Sequence, residues 1–391
     1  MTETCDVVIV GGGLAGLSVA ARLAPHRRVL VLEQGEQVGS EASAQNAGMV
    51  RRMGHDPYER LLARRTVTWL ESEGDDWVRG ASRTTGAVLG LAYEPFHLRD
   101  AAAHLAAEGV PMERCAHPET VAPILAGSEL EAAWFLPDER VAEPWALVTG
   151  FGRELRAHGG DIRPKTPVVR LLGDDGRVIG VSTPGGEIHA DAVVLAAGAW
   201  SGALATEFGL RRPLTPIRRT LLKSAPHPLS HPGHPWVWLD DVGLYARPEG
   251  GGWLVSSCDE VVDPPAPGAG SAGPVTDLPR ARAADRLARW MPPLGDLRWT
   301  GGWSGLRTFA PDRRPLLGAD RDAPGLWWAA GLGGFGVSCS YAVGEAVAAW
   351  MLDQELDWIR PAPVAPHRLQ YGSWTITPTG DVAEARIVRV G

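Results

Sequence analysis

Gly11, Gly13 and Gly16 follow the apolar run Val7-Val8-Ile9-Val10, and an acid, Glu33, closes the next apolar run, Val29-Leu30-Val31-Leu32. The spacing predicts a strand, a glycine turn, a helix and a second strand that ends in a carboxylate. Gly11 permits the tight turn, Gly13 lets backbone approach a pyrophosphate, and Gly16 lets the helix pack closely on the strand. Leu14 and Ala15 open that helix, so phosphates would meet its free N–H groups. Glu33, with Gln34 beside it, can accept hydrogen bonds from ribose hydroxyls. A βαβ unit with a glycine-rich turn and no ligand is the plain alternative; strand, helix and terminal acid together argue for a dinucleotide.

Four later segments have the composition to line such a ligand. Ser43-Ala44-Gln45-Asn46-Ala47-Gly48-Met49 is small and polar, would bring backbone N–H groups beside a second part of the cofactor, and runs into Arg51 and Arg52. Ala192-Val193-Val194-Leu195-Ala196-Ala197-Gly198-Ala199-Trp200 reads as a buried strand meeting a small-residue turn. Trp303-Ser304-Gly305-Leu306-Arg307 leads to Pro311-Asp312, and Gly333-Gly334-Phe335-Gly336-Val337 turns into a helix.

These segments need a scaffold. The chain has 391 residues, 45% hydrophobic and 21% charged, enough for two lobes with sizeable cores. Its 38 basic and 46 acidic residues give a formal charge of -8, which argues against nucleic acid or an anionic membrane as the main partner. Cys5, Cys115, Cys258 and Cys339 are far apart and lack metal-ligand spacing, so buried reduced thiols and a cytoplasmic location are expected. A strand beginning near Cys5 leaves no space for a signal peptide, and no apolar run reaches the ~20 residues of a membrane helix.

Helical spacing of apolar residues predicts helices over 58–70, 101–108, 145–158, 281–290 and 337–352. Strands are predicted over 166–172, 177–182, 192–197, 214–224, 236–239, 244–247 and 253–257. The order mixes βαβ pieces with runs of strands, which describes an α/β chain whose nucleotide-binding lobe is interrupted by a sheet-rich one. Residues 263–276, rich in Pro, Gly, Ala and Ser, read as a surface loop, and periodicity fades after Leu352.

Taken in order, these blocks resemble the D-amino acid oxidase (DAO) superfamily of flavoenzymes over residues 5–352, a group that includes glycine oxidase, sarcosine oxidase and D-amino acid dehydrogenases. Trp303-Ser304-Gly305-Leu306-Arg307, Leu244-Tyr245-Ala246-Arg247-Pro248 and Gly333-Gly334-Phe335-Gly336 are most similar to its D-arginine dehydrogenase branch. The resemblance implies a two-lobed fold. A Rossmann-type FAD-binding domain would comprise 1–50, 142–212 and 306–353, a mixed-sheet substrate domain 51–141 and 213–305, and a tail 354–391. It also implies FAD at the opening motif, Val168 against the adenine, and Gly333 to Gly336 bordering the flavin pyrimidine, where a helix N-terminus would stabilise reduced-flavin charge. Position 305, a tethering cysteine in some sarcosine oxidases, is glycine here, so the FAD is expected to be dissociable.

By the same resemblance Arg307 grips a substrate carboxylate, since a planar guanidinium forks onto two oxygens as an ammonium cannot. Arg219 is the second carboxylate arginine, with Arg218 the alternative because neighbours on a strand face opposite ways. Tyr245 hydrogen-bonds the same carboxylate. The branch's substrate-facing glutamate is Gly86 here, so a cationic side chain loses its partner, and Arg52 falls where sarcosine oxidases place a carboxylate arginine. If Arg51 or Arg52 points inward, the pocket favours an acidic or dicarboxylic amine. The implied reaction oxidises the C–N bond of an amino acid by hydride transfer from Cα to flavin N5, giving an imine that hydrolyses, with O2 or another acceptor taking the electrons. No general base is assigned; His55 and His97 read as surface or packing residues. A flavin monooxygenase and a non-catalytic, flavin-carrying subunit of a larger amine dehydrogenase are the competing readings.

Overall fold

The opening strand, Glu3–Val10, ends in four buried apolar residues because it runs through the middle of a sheet covered on both faces. A computed structural model, describing residues 3–54, 56–93, 96–266, 268–369, 373–378 and 385–390, shows its neighbours. Val29–Leu32 pairs in parallel on one side and Gly186–Leu195 on the other. Asp161–Arg163 and Leu326–Ala330 extend the parallel part. Arg170–Asp174, Arg177–Thr183 and Leu316–Ala319 complete the eight strands in antiparallel pairings. Helices Leu14–Leu23, Pro144–Ala157 and Ser340–Met351 lie together on one face, where Leu17, Phe151 and Val343 are wholly buried. The opposite face buries Val8, Leu195 and Trp328.

A second, nine-stranded sheet supplies the other wall of the site. Its order is Val261–Val262, Thr215–Ser224, Gly252–Ser256, Leu244–Glu249, Trp236–Leu239, Ala87–Leu91, Ala132–Leu136 and Glu113–Arg114, with Trp299–Phe309 also on Thr215–Ser224. Helix Asp277–Trp290 covers part of it, burying Ala283 and Leu287 with Leu244 and Val255. The register of Thr215–Ser224 against Trp299–Phe309 sets Ile217 opposite Arg307 and Arg219 opposite Gly305. Residues opposite each other, and those two apart on one strand, share a face, so Arg219 and Arg307 project together while Arg218 goes the other way.

Each predicted helix is present, the first as Pro57–Thr68 and the last as Ser340–Met351. The strand expected from residue 166 starts only at Arg170. Trp299–Phe309 was not predicted as a strand, because Gly301, Gly302 and Gly305 interrupt any alternation of apolar side chains. The four thiols are free, as expected, but only Cys339 is buried, and the other three are half-buried.

The segment read as a surface loop and the tail in which periodicity fades are both held in place. Ser271, in the loop over 263–276, is buried; its N–H donates to Glu41 at 2.8 Å, its hydroxyl lies between Glu41 and Gln45, and Arg218 donates to its carbonyl at 2.9 Å. In the tail Ile359, Val364 and Leu369 are buried, Leu317 N–H donates to the Val364 carbonyl at 2.9 Å, and Arg368 pairs with Asp312 at 2.7 Å. His55, the side chain of His97 and residues 370–372, 379–384 and 391 lie outside the described residues. Among the described residues no helix is long and apolar enough to cross a membrane.

Candidate active site

One cavity of about 1880 Å³ runs between the two sheets, larger than the roughly 300–1,000 Å³ typical of small-molecule pockets. Its narrow-turn end is built by the opening motif. Gly11 sits at φ +106°, a conformation that favours glycine, and a Cβ there would lie 2.5 Å from the Ala196 carbonyl oxygen. Gly13 precedes helix Leu14–Leu23, no side chain of its own caps the helix, and Leu14 N–H donates to Ser43 Oγ at 2.9 Å. Gly16 is corrected as a direct cofactor contact. It does not line the cavity, and a Cβ on it would overlap the Gly11 carbonyl, so it acts from behind by letting helix and turn close up.

Glu33 is buried at the cavity wall, accepting from Gly12 N–H at 2.8 Å and Gly35 N–H at 2.7 Å. Each carboxylate oxygen has a further lone pair for a ligand hydroxyl. Positions 34, 43, 45–49, 168, 197, 198, 200 and 333–337 line the same cavity. Asn46 donates to the Ala42 and Ser43 carbonyls and accepts from Gly48 N–H at 2.8 Å, so its side chain shapes the turn. The Trp200 indole N–H is buried without a partner among the described residues. Volume, a helix N-terminus whose N-cap is a glycine with no side chain to offer, and an orphan donor together fit an anionic dinucleotide.

The other end of the cavity is cationic. Arg219 and Arg307 both face it, and between them stands an acid that the sequence reading missed, Glu260. It pairs with Arg307 at 3.1 Å, Arg219 at 3.3 Å and Arg313 at 2.9 Å. Burial pushes the Glu260 carboxyl up, but the hydrogen bond from Arg313 and the charges of Arg307, Arg313 and Arg219 pull it down to about 2. Asp259 fixes the bend that carries it, accepting from Thr220 N–H at 3.0 Å and Thr220 Oγ at 2.9 Å. Arg218 is occupied elsewhere, by Asp263 at 2.6 Å. Burial and the neighbouring Arg219 charge lower the Arg307 pKa against the pull of Glu260. Its Nε is buried and without a partner among the described residues.

Tyr245, opposite Trp238 in the sheet, is buried on the same wall, and burial raises its phenol pKa despite the opposing charge of Arg219. Cys258, also missed, lines the wall at φ +50°. An acid and a thiol directly after the predicted strand 253–257 were the available signal, and nothing in the local pattern tied either to an arginine fifty residues on.

Arg52 is corrected as a substrate residue. It lies off the cavity and is buried against Glu139, which it meets at 3.1 Å and whose carboxylate also accepts from its backbone N–H. Burial drives the Glu139 pKa up, and the charge of Arg52 opposes it. Arg51 is the inward neighbour, with its guanidinium 4.4 Å from the Trp238 ring centre and 4.3 Å from that of Phe335. Its Nη2 donates to the Gly334 carbonyl at 3.2 Å, and its backbone N–H donates to Ser338 Oγ at 2.9 Å.

A profile of the DAO family, described as FAD dependent oxidoreductase, matches residues 6–350. Glycine oxidase of Bacillus licheniformis is 27% identical, over 92% of this chain and 96% of its own. Glycine oxidase of Pseudomonas aeruginosa is 30% identical, over 92% of this chain and 98% of its own. Among solved structures, L-proline dehydrogenase from P. horikoshii superimposes with a TM-score of 0.85 at 22% identity, over 95% and 99% of the two chains, a likeness of fold. The chain belongs to the DAO family of FAD-dependent oxidoreductases.

Proposed function

We propose that this enzyme oxidises the C–N bond of a small amine that carries a carboxylate, an amino acid or N-substituted amino acid. The convergence of Arg307, Arg219 and Tyr245 on one wall, at the end of the cavity bordered by Gly334, carries the reading. The names of the glycine oxidase relatives support a carboxylated amine.

FAD, when bound, supplies the acceptor for the hydride, which carries both electrons away from Cα. Gly11, Gly13 and Glu33 would hold its far end, and Gly333 to Gly336 would border its ring. The fork of Arg307 sets the carboxylate and thereby the direction of the Cα–H bond, with Arg219 at its side. Tyr245 stays protonated, because burial raises its pKa, and so remains a hydrogen-bond donor to that carboxylate. The nearby positive charges of Arg219 and Arg307 favour a neutral substrate amine, whose lone pair assists hydride loss, so no separate base is needed. Position 305 is glycine and has no thiol to tether a flavin, which supports FAD held without a covalent bond there.

The test is to mix the yellow protein, without oxygen, with glycine, D-amino acids, L-proline and N-methyl amino acids. Bleaching of the flavin band by a member of this panel is expected, and readmitted air then reports reoxidation by O2. No bleaching by any of them, with acetate still perturbing the flavin spectrum, would overturn amine oxidation.

A further inference from the structure

Resting on the reading of the cavity as an amino-acid site, we infer that it has a second anion seat at Arg51, and that its substrate is an amine bearing two carboxylates. Of the six arginines that line the cavity, four bear on this seat, and they divide into two groups. Arg219, Arg307 and Arg313 surround Glu260 and already share one negative charge. Arg51 stands apart from that set: no carboxylate of the described residues lies within ion-pair distance of it, and Glu59 and Asp240 act on it only through space.

Its polar side-chain contact is to a neutral carbonyl, Gly334 O, and its two faces rest on Trp238 and Phe335. Aromatic faces hold a guanidinium in place and leave its N–H edge open. That edge therefore has donors to spare, on a side chain fixed in orientation and facing the cavity. Arg51 is half-buried, and Glu59 and Asp240 act on it only at a distance, so an incoming carboxylate gives this cation the close partner it lacks. Arg307 leans on a different ring, Phe309, with its guanidinium 5.1 Å from the ring centre. A Cβ placed on Gly334 would lie 3.2 Å from Arg307 Nη1 and 3.5 Å from Arg51 Nη2, so the two cations flank one backbone point from separate walls. A ligand passing over Gly334 with a carboxylate at each end meets both.

Binding without turnover separates this from the oxidation reading. FAD-loaded protein is titrated with acetate, malonate, succinate and glutarate, and the flavin difference spectrum reports Kd. At least one dicarboxylate is expected to bind about tenfold or more tightly than acetate. Arg51→Gln should bring that dicarboxylate back to the acetate level while moving the acetate Kd by less than about twofold, and Arg51→Lys should recover part of the difference. Dicarboxylates that bind no better than acetate in the wild-type protein overturn the second seat. An Arg51→Gln effect equal on acetate and dicarboxylate also overturns it, by assigning Arg51 to the first carboxylate. An amine panel that bleaches nothing, beside an intact dicarboxylate preference, overturns the oxidation reading and leaves the seat standing.

Discussion

Glu260 accepts a hydrogen bond from Arg307 at 3.1 Å, so the arginine assigned to a substrate carboxylate already holds a carboxylate of its own chain. A substrate anion must share or displace that internal partner. Arg219 and Arg313 are drawn into the same cluster, and the cluster as a whole carries more positive than negative charge.

Glu260→Gln should therefore tighten the binding of a simple carboxylate. Acetate Kd, read from the flavin difference spectrum, is expected to fall about tenfold, because charge-assisted hydrogen bonds now go to the ligand instead of to Glu260. Weaker acetate binding in the variant would mean that Glu260 holds the arginines in position and does not compete for them.

The same carboxylate gives stability a pH signature. Its pKa in the fold, about 2, is below the ordinary 4.5, so its contribution is complete above pH 4.5 and fades as pH falls toward about 2. The difference in Tm between wild-type protein and Glu260→Gln should be largest at neutral pH and shrink across that window. Thermal unfolding scans at a series of pH values measure it; a gap that widens on acidification contradicts the ionised cluster.

Arg307→Lys keeps a charge but removes the fork. We expect KM for the best amine to rise by about ten- to a hundredfold, with Arg307→Ala at or beyond the upper end and FAD retained in both. Flavin content after gel filtration is the control, and loss of flavin would place Arg307 in cofactor binding or in the fold.

Arg52 and Glu139 form a buried pair away from the cavity, with side chains 8% and 1% exposed. Removing one member leaves the other charge buried and uncompensated, a cost of about 3–5 kcal/mol. Glu139→Ala should lower the denaturant midpoint accordingly and affect substrate KM no more than it affects overall folded fraction. A selective rise in KM at full stability would return Arg52 to the substrate.

The cofactor end was readable in the sequence because a phosphate site is built from backbone, and the glycines that expose it sit at short fixed spacings: Gly11, Gly13 and Gly16, then Glu33 at the next strand end. Arg307, Arg219 and Tyr245 were proposed from resemblance to longer family motifs, the structure brings all three to one cavity, and the register Ile217 to Arg307 explains why the two arginines share a face. Glu260 could not be found that way. Its partnership depends on a bend fixed by Asp259 and on strands brought together from positions 215 and 299, relations that no local pattern carries. Arg51 and Arg52 were indistinguishable for a different reason. The strand before them, Met49–Val50, is two residues long, too short for alternation to show which of the next two side chains turns inward.

The opening strand pairs with residues 186–195, its glycine turn closes against Ala196, and the helix after it packs on Ser340–Met351. A ribosome that has made the first 33 residues has made every glycine of the cofactor turn and few of the neighbours that hold it in shape. Bringing segments so distant together carries a loop-closure cost, so the glycine turn takes its final shape only once residues 186–196 and 340–351 have been made and docked on it.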